Sequence, residues 1–197
     1  MGKRSIREAQ REKKRRRKRR SKIIGIGIGI MALAVVGFFG WSALRPSIGE
    51  EVPIMANAGE HVEPGSDPGP FNSNPPTSGR HYGQEYEAGF YDENSQQAQA
   101  PYPEGYLGHN LEHGYVIFWY NCDSLDEIGC DALKSQIQEV MDKYDGFKVI
   151  AFPSDSLDAP LVMASWGQLL RFETFDEGLA SQFVKVNRNR APEPNAE

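Results

Sequence analysis

The chain has four histidines, and two of them stand four apart with a carboxylate between them, in the run His109-Asn110-Leu111-Glu112-His113. Imidazole and carboxylate are common protein ligands of zinc, and imidazole also suits copper. Whether these residues can share an ion depends on the backbone beneath them. In a helical turn His109 and His113 lie on one face about 6 Å apart, within reach of a single metal. In an extended strand they share a face but stand roughly 13 Å apart, too far for one ion. Gly108 and Gly114 bracket a piece long enough for one turn. His81, which follows Ser78-Gly79 in a loop, supplies a third imidazole and makes a three-histidine site with one open position. Glu112 is then expected beside the ion, as an outer partner or holding a bound water. The competing expectation is that the histidines hydrogen-bond carbonyls and tyrosine hydroxyls and hold no metal. His61, among prolines, glycines and acids, reads as a solvent-exposed residue.

The same run spells H-x-x-E-H, an inverted zinc-peptidase signature in which Glu112 would activate a metal-bound water. That chemistry needs a long helix, and Gly114 leading directly into a strand denies it. Met163 lies within an expected strand and reads as core packing rather than a copper ligand. Cys122 and Cys130 are the only cysteines. Their C-x7-C spacing matches no common zinc site, and outside the cytoplasm a close pair reads as a disulfide. A six-residue strand spans about 20 Å, so Cys122 and His113 fall at opposite ends of the strand between them.

The elements that must position these residues follow from the apolar pattern. Tyr115–Tyr120 is a continuous apolar and aromatic run, the mark of a strand buried on both faces. Asp131 is placed to cap a helix through about Tyr144, with Leu133, Ile137, Val140 and Met141 on one stripe. Phe147–Phe152 is a second apolar strand. Pro160 then leads into Leu161–Ser165, Trp166-Gly167-Gln168 turns the chain into Leu169–Phe172, and a last helix runs from about Asp176 to Asn189. Strand–helix–strand implies a parallel pair with a right-handed crossover. The full order, strand-helix-strand-hairpin-helix, resembles a reduced thioredoxin-like fold of the α/β class. In that likeness Ala159–Pro160 is cis and lies beside Cys122, although C-x7-C replaces the C-x-x-C of thioredoxins. The aromatic-rich coil Asn72–Pro103 is expected to wrap over the sheet. Residues 45–70, rich in Pro, Gly and acids, read as a disordered linker, and 191–197 as a disordered tail.

Charge separates two environments. Residues 1–22 hold 13 of the 22 Lys and Arg, whereas residues 45–197 carry a net charge of −16. Between them Ile23–Leu44 has no charged residue in 22 positions, enough for a helix of about 33 Å and so for a bilayer core of about 30 Å. The basic flank places the N-terminus in the cytoplasm and residues 71–190 outside as an extracytoplasmic domain. Lys13–Arg20 is read as a contact with anionic lipid, not with nucleic acid.

Three motifs occur in order: Asn74-Pro75-Pro76-Thr77-Ser78-Gly79-Arg80-His81, Gly89-Phe90-Tyr91, and His109-Asn110-Leu111-Glu112-His113-Gly114-Tyr115-Val116. Together they resemble the bacterial family catalogued as domain of unknown function 3105, over roughly Phe71–Phe175. The resemblance implies an N-terminal anchor and an extracytoplasmic domain, and it implies no activity. Three functional expectations stand together. The first is a membrane-anchored domain binding zinc or copper through His81, His109 and His113. The second is a thiol–disulfide protein using Cys122, Cys130 and Pro160. The third is a non-enzymatic module that meets another envelope protein through its acidic, aromatic surface.

Overall fold

Val116–Tyr120 (β5) is buried at every position. It lacks alternation because apolar layers cover both faces of the sheet it belongs to. Successive strand side chains point to opposite faces. Val116, Phe118 and Tyr120 therefore enter one layer, and Ile117 and Trp119 the other. The computed structural model describes residues 48–123 and 125–195. The basic stretch 1–22 and the apolar span Ile23–Leu44 lie outside them, and among the described residues no helix is long and apolar enough to cross a membrane.

β5 pairs in parallel with Val149–Pro153 (β6), Val116 opposite Val149. On its other side it pairs antiparallel with Leu161–Ser165 (β7), which turns back into Gln168–Phe172 (β8). Two short strands complete the sheet at its edges. Glu50–Glu51 (β1) runs antiparallel to β8, and Gly89–Phe90 (β4) runs parallel to β6. The order is β1-β8-β7-β5-β6-β4. Apart from it, His61–Val62 (β2) and His81–Tyr82 (β3) form a parallel pair of their own.

Three helices cover the two faces. Glu104–Glu112 (α1) lies on the layer of Ile117 and Trp119, with Leu107 and Leu111 fully buried. Glu127–Asp142 (α2) and Glu177–Asn187 (α3) cover the opposite layer. The buried stripe of α2 is Leu133, Ile137, Val140 and Met141, as its spacing implies. Its cap is Asp126 rather than Asp131: the Asp126 carboxylate accepts from the Gly129 amide at 2.8 Å, so the helix begins earlier and includes Cys130. Asp176 caps α3 in the same way, accepting from Leu179 at 2.8 Å.

α1 was not legible in the sequence, which suggested only a single turn between Gly108 and Gly114. Each glycine inside a helix costs about 1 kcal/mol relative to alanine, so Gly105 and Gly108 weaken the signal. Packing requires them. A Cβ on Gly105 would stand 2.4 Å from the Tyr82 ring, and one on Gly108 would stand 2.8 Å from the His81 Cβ. The glycine face lets β3 lie directly on the helix. Gly114 ends this region at φ +83°, with its Cα against the backbone of Asn189.

Several expectations need correction. Residues 48–70 are not a structureless linker. Val52 donates to Gly167 O at 2.9 Å, Met55 donates to Ser78 Oγ at 3.1 Å, and Asn72 Nδ2 donates to Pro53 O at 3.1 Å. Main-chain bonding to a sheet edge and a loop, together with Ile48 and Val52 packed against the two cores, orders this stretch, and pairing of that kind is not registered in composition. The tail is likewise bound as far as Pro194: Glu193 N donates to Glu112 O at 3.1 Å, and Lys148 Nζ donates to Pro194 O at 2.7 Å. Residues 196–197 lie outside the described residues. The cis peptide bonds among the described residues are Gly69–Pro70 and Asn74–Pro75, so Ala159–Pro160 is not cis. Pro160 instead sits in a bend just before β7, its carbonyl accepting from Asn121 N at 2.9 Å and so continuing the β5–β7 ladder. The aromatic coil does wrap the sheet. Asn110 clamps it by bonding both the amide and the carbonyl of Tyr86, at 3.1 and 2.8 Å, and the Tyr86 ring stacks on Tyr106.

Candidate metal centre

His81 is fully buried against α1. Its Nδ1 lies 3.0 Å from Gly79 O, and a carbonyl only accepts, so Nδ1 carries a hydrogen. Nε2 then faces Glu112 Oε2, also at 3.0 Å. Two lone pairs cannot face each other at that distance, so either a proton or a metal ion must stand between them. An Nδ1–H held by a backbone carbonyl, with Nε2 turned to the site, is the arrangement that fixes histidine as a metal ligand.

The other donors converge on the same oxygen. His109 and Glu112 are three apart on α1 and so share a face, with His109 Nδ1 4.0 Å from Glu112 Oε2. That Nδ1 is buried and has no hydrogen-bond partner among the described residues. Burial, with smaller contributions from His113, His81 and His61 nearby, lowers the His109 pKa to about 4, so its ring is neutral at neutral pH. His61 Nε2 lies 3.9 Å from Glu112 Oε2, and its side chain is 51% exposed. One donor atom from each of His61, His81, His109 and Glu112 falls within 4.8 Å of every other. Around an ion with bonds of about 2.0–2.1 Å the corners of a tetrahedron stand about 3.3–3.4 Å apart. Closing this set on one ion requires separations of up to 4.8 Å to shorten by about 1.4 Å at most. A hollow of about 240 Å³, lined by His61, Val62, Gly83 and Gln84 among others, opens beside it.

His81, His109 and Glu112, singled out from sequence, are thus brought together, with Glu112 among the donors rather than behind them. His113 is not part of the group. It follows the last residue of α1 as the cap, and its Nδ1 bonds Glu85 Oε2 at 2.9 Å while Nε2 lies 3.9 Å from Glu193 Oε2. Its ring packs on His109, 4.2 Å between centroids. His61, read as a solvent residue, takes the vacated place. The signal that finds it is register, since β2–β3 pairing sets His61 directly opposite His81.

At the far end of β5, Cys122 and Cys130 are joined in a disulfide that ties the strand end to the first turn of α2, with Cα atoms 5.3 Å apart. Glu93 lies close to both sulfurs. Sulfurs already bonded to each other are not thiolate ligands, so this second group is not a metal site in the oxidised protein.

Fold and site together define a mixed α/β domain that gathers three imidazoles and a carboxylate where a glycine-faced helix meets a two-stranded clip. The family model for proteins of unknown function designated DUF3105 matches residues 65–197, and the chain belongs to that family. His81, His109 and Glu112 fall inside the matched region and His61 just before it. Comparison with curated proteins and with solved structures gives no match.

Proposed function

We propose that this domain holds one metal ion, zinc or copper, through His61 Nε2, His81 Nε2, His109 Nδ1 and Glu112 Oε2, and that it does so outside the cytoplasm on a membrane anchor. The carrying observation is the convergence of four donor atoms within 4.8 Å around a buried, unpartnered His109 Nδ1. Four protein donors fill a tetrahedron and leave no position for a substrate water, which favours holding or passing on an ion over hydrolysis. The half-exposed His61 beside an open hollow favours an ion that can be exchanged. A peptidase of the H-x-x-E-H type needs both histidines of the motif on the ion, and His113 faces Glu85 instead. The location rests on the basic flank and uncharged span of residues 1–44. It is tested by a phosphatase reporter, active only when exported, fused after Glu197.

The metal reading is tested by the metal content of the purified full-length protein and of its variants. His61→Ala, His81→Ala, His109→Ala and Glu112→Gln should each lose affinity by more than the roughly 10- to 100-fold that follows loss of an outer partner. His113→Ala should lose no more than that. Equal loss in all five, or metal retained in all of them, removes the site.

A second reading, thiol–disulfide chemistry on a thioredoxin-like scaffold, is favoured by the strand order β8-β7-β5-β6 with a parallel β5–β6 pair. The C-x7-C spacing and the absence of a cis bond before Pro160 weigh against exchange chemistry, so the scaffold likeness is proposed without the activity.

A further inference from the structure

We infer that a cleft at the C-terminal ends of β5 and β6 binds a basic amino acid, either free or as a residue within a peptide. The cleft has a volume of about 360 Å³ and is walled by Trp119 and Phe152, with Glu93, Glu104, Asp155 and Ser154 around them. In sheets with parallel strands, ligands favour the carboxyl ends of those strands. The inference does not depend on the metal reading.

Three observations specify the ligand. First, the ionisable groups lining the cleft are all carboxylates. Glu93 is paired with Lys134 from α2 at 2.8 Å, whereas Glu104 and Asp155 form no ion pair among the described residues. Burial holds the Glu104 carboxyl above its usual range, partly offset by its own backbone amide, and Asp67 adds to the rise. A cation seated beside Glu104 reverses that cost. The net charge of −16 on residues 45–197 draws cations to the domain and turns anions away.

Second, Trp119 Nε1 is buried and has no hydrogen-bond partner among the described residues, on a residue only 1% exposed. A buried indole N–H without an acceptor is costly, and the cleft that Trp119 lines is where a ligand can supply one. A bare metal ion or a simple amine has no acceptor oxygen. The ligand therefore carries both a positive group and a carbonyl or carboxylate, as a basic amino acid does. Third, the Trp119 and Phe152 rings, 5.6 Å apart and edge to face, give the cleft an apolar floor on which the methylene stem of a basic side chain can lie while its charged end meets the carboxylates.

The test follows the Trp119 indole N–H resonance of full-length protein, assigned with Trp119→Phe, during titration with three probes. These are free arginine, the blocked tripeptide Ala-Arg-Ala, and the blocked tripeptide Ala-norleucine-Ala. At least one arginine probe should shift the resonance saturably with a Kd of about 1 mM or tighter, and the norleucine peptide should not. A tighter tripeptide assigns the site to peptides, and a tighter single residue to the free amino acid. Glu104→Gln or the more exposed Asp155→Asn should weaken binding by about 10- to 100-fold. No saturable shift with either arginine probe, equal binding of the norleucine peptide, or unchanged affinity in both variants overturns the inference.

Discussion

Three of the four candidate donors were legible as residues, although the spacing paired His109 with His113, four apart, and put Glu112 beside the ion rather than among its ligands. His61 was not, since nothing in its neighbourhood marks it and its place is set by pairing with a strand that follows 20 positions later. His113 misled for a local reason. It occupies the helix cap, where Glu85 and Glu193 offer its two nitrogens carboxylates of their own. His109 yields a pH prediction whose sign is fixed. Its pKa falls from 6.5 to about 4 on folding, so between those values the unfolded chain binds more protons than the native one. In metal-free protein its contribution is therefore fully present above about pH 6.5 and is lost as pH falls toward 4. Denaturant midpoints measured across that window should drop, and should drop less steeply in His109→Gln. The same shift keeps His109 a competent ligand well below the pH of about 6.5 at which an ordinary imidazole begins to protonate.

The long elements announced themselves. β5 and the stripe of α2 carry enough apolar residues at strand or helix period to be read directly, and the turn at Trp166-Gly167 marks the β7–β8 hairpin. α1 was hidden by Gly105 and Gly108, and β1 and β2 by their two-residue length and polar composition. Gly108 also provides the sharpest test at this scale. On helix propensity alone Gly108→Ala should stabilise by about 1 kcal/mol. The 2.8 Å approach to the His81 Cβ predicts the reverse: a lower thermal midpoint and weaker metal binding, with helical content by circular dichroism nearly unchanged. A more stable variant with full metal affinity would show that β3 does not depend on this close contact.

Across the molecule, one covalent link joins the two kinds of element. The Cys122–Cys130 bond closes a loop of eight steps, for which chain-entropy arguments give about 2.5 kcal/mol of stabilisation. Reduction, or Cys122→Ser with Cys130→Ser, should lower the denaturant midpoint accordingly while leaving metal content unchanged, because the disulfide and the histidines lie at opposite ends of β5. Loss of metal on reduction would mean the two ends communicate. The charge asymmetry and the α/β class were plain in the composition and element order, but the way the chain closes on itself was not, because it rests on backbone pairing between remote segments. Glu50 pairs with Leu169, and Asn187 Nδ2 holds the Ile48 carbonyl across 139 positions at 3.1 Å. Synthesis is vectorial, so the first stretch of this domain to leave the ribosome is the last to find its place. The entry strand stays unpaired until β8 has emerged, and the Ile48 contact must wait for the final helix. A chain stopped before Asn187 would keep the β1–β8 pairing but lack the hydrogen bond that anchors Ile48, so the start of the domain is fully secured only when its last helix is complete.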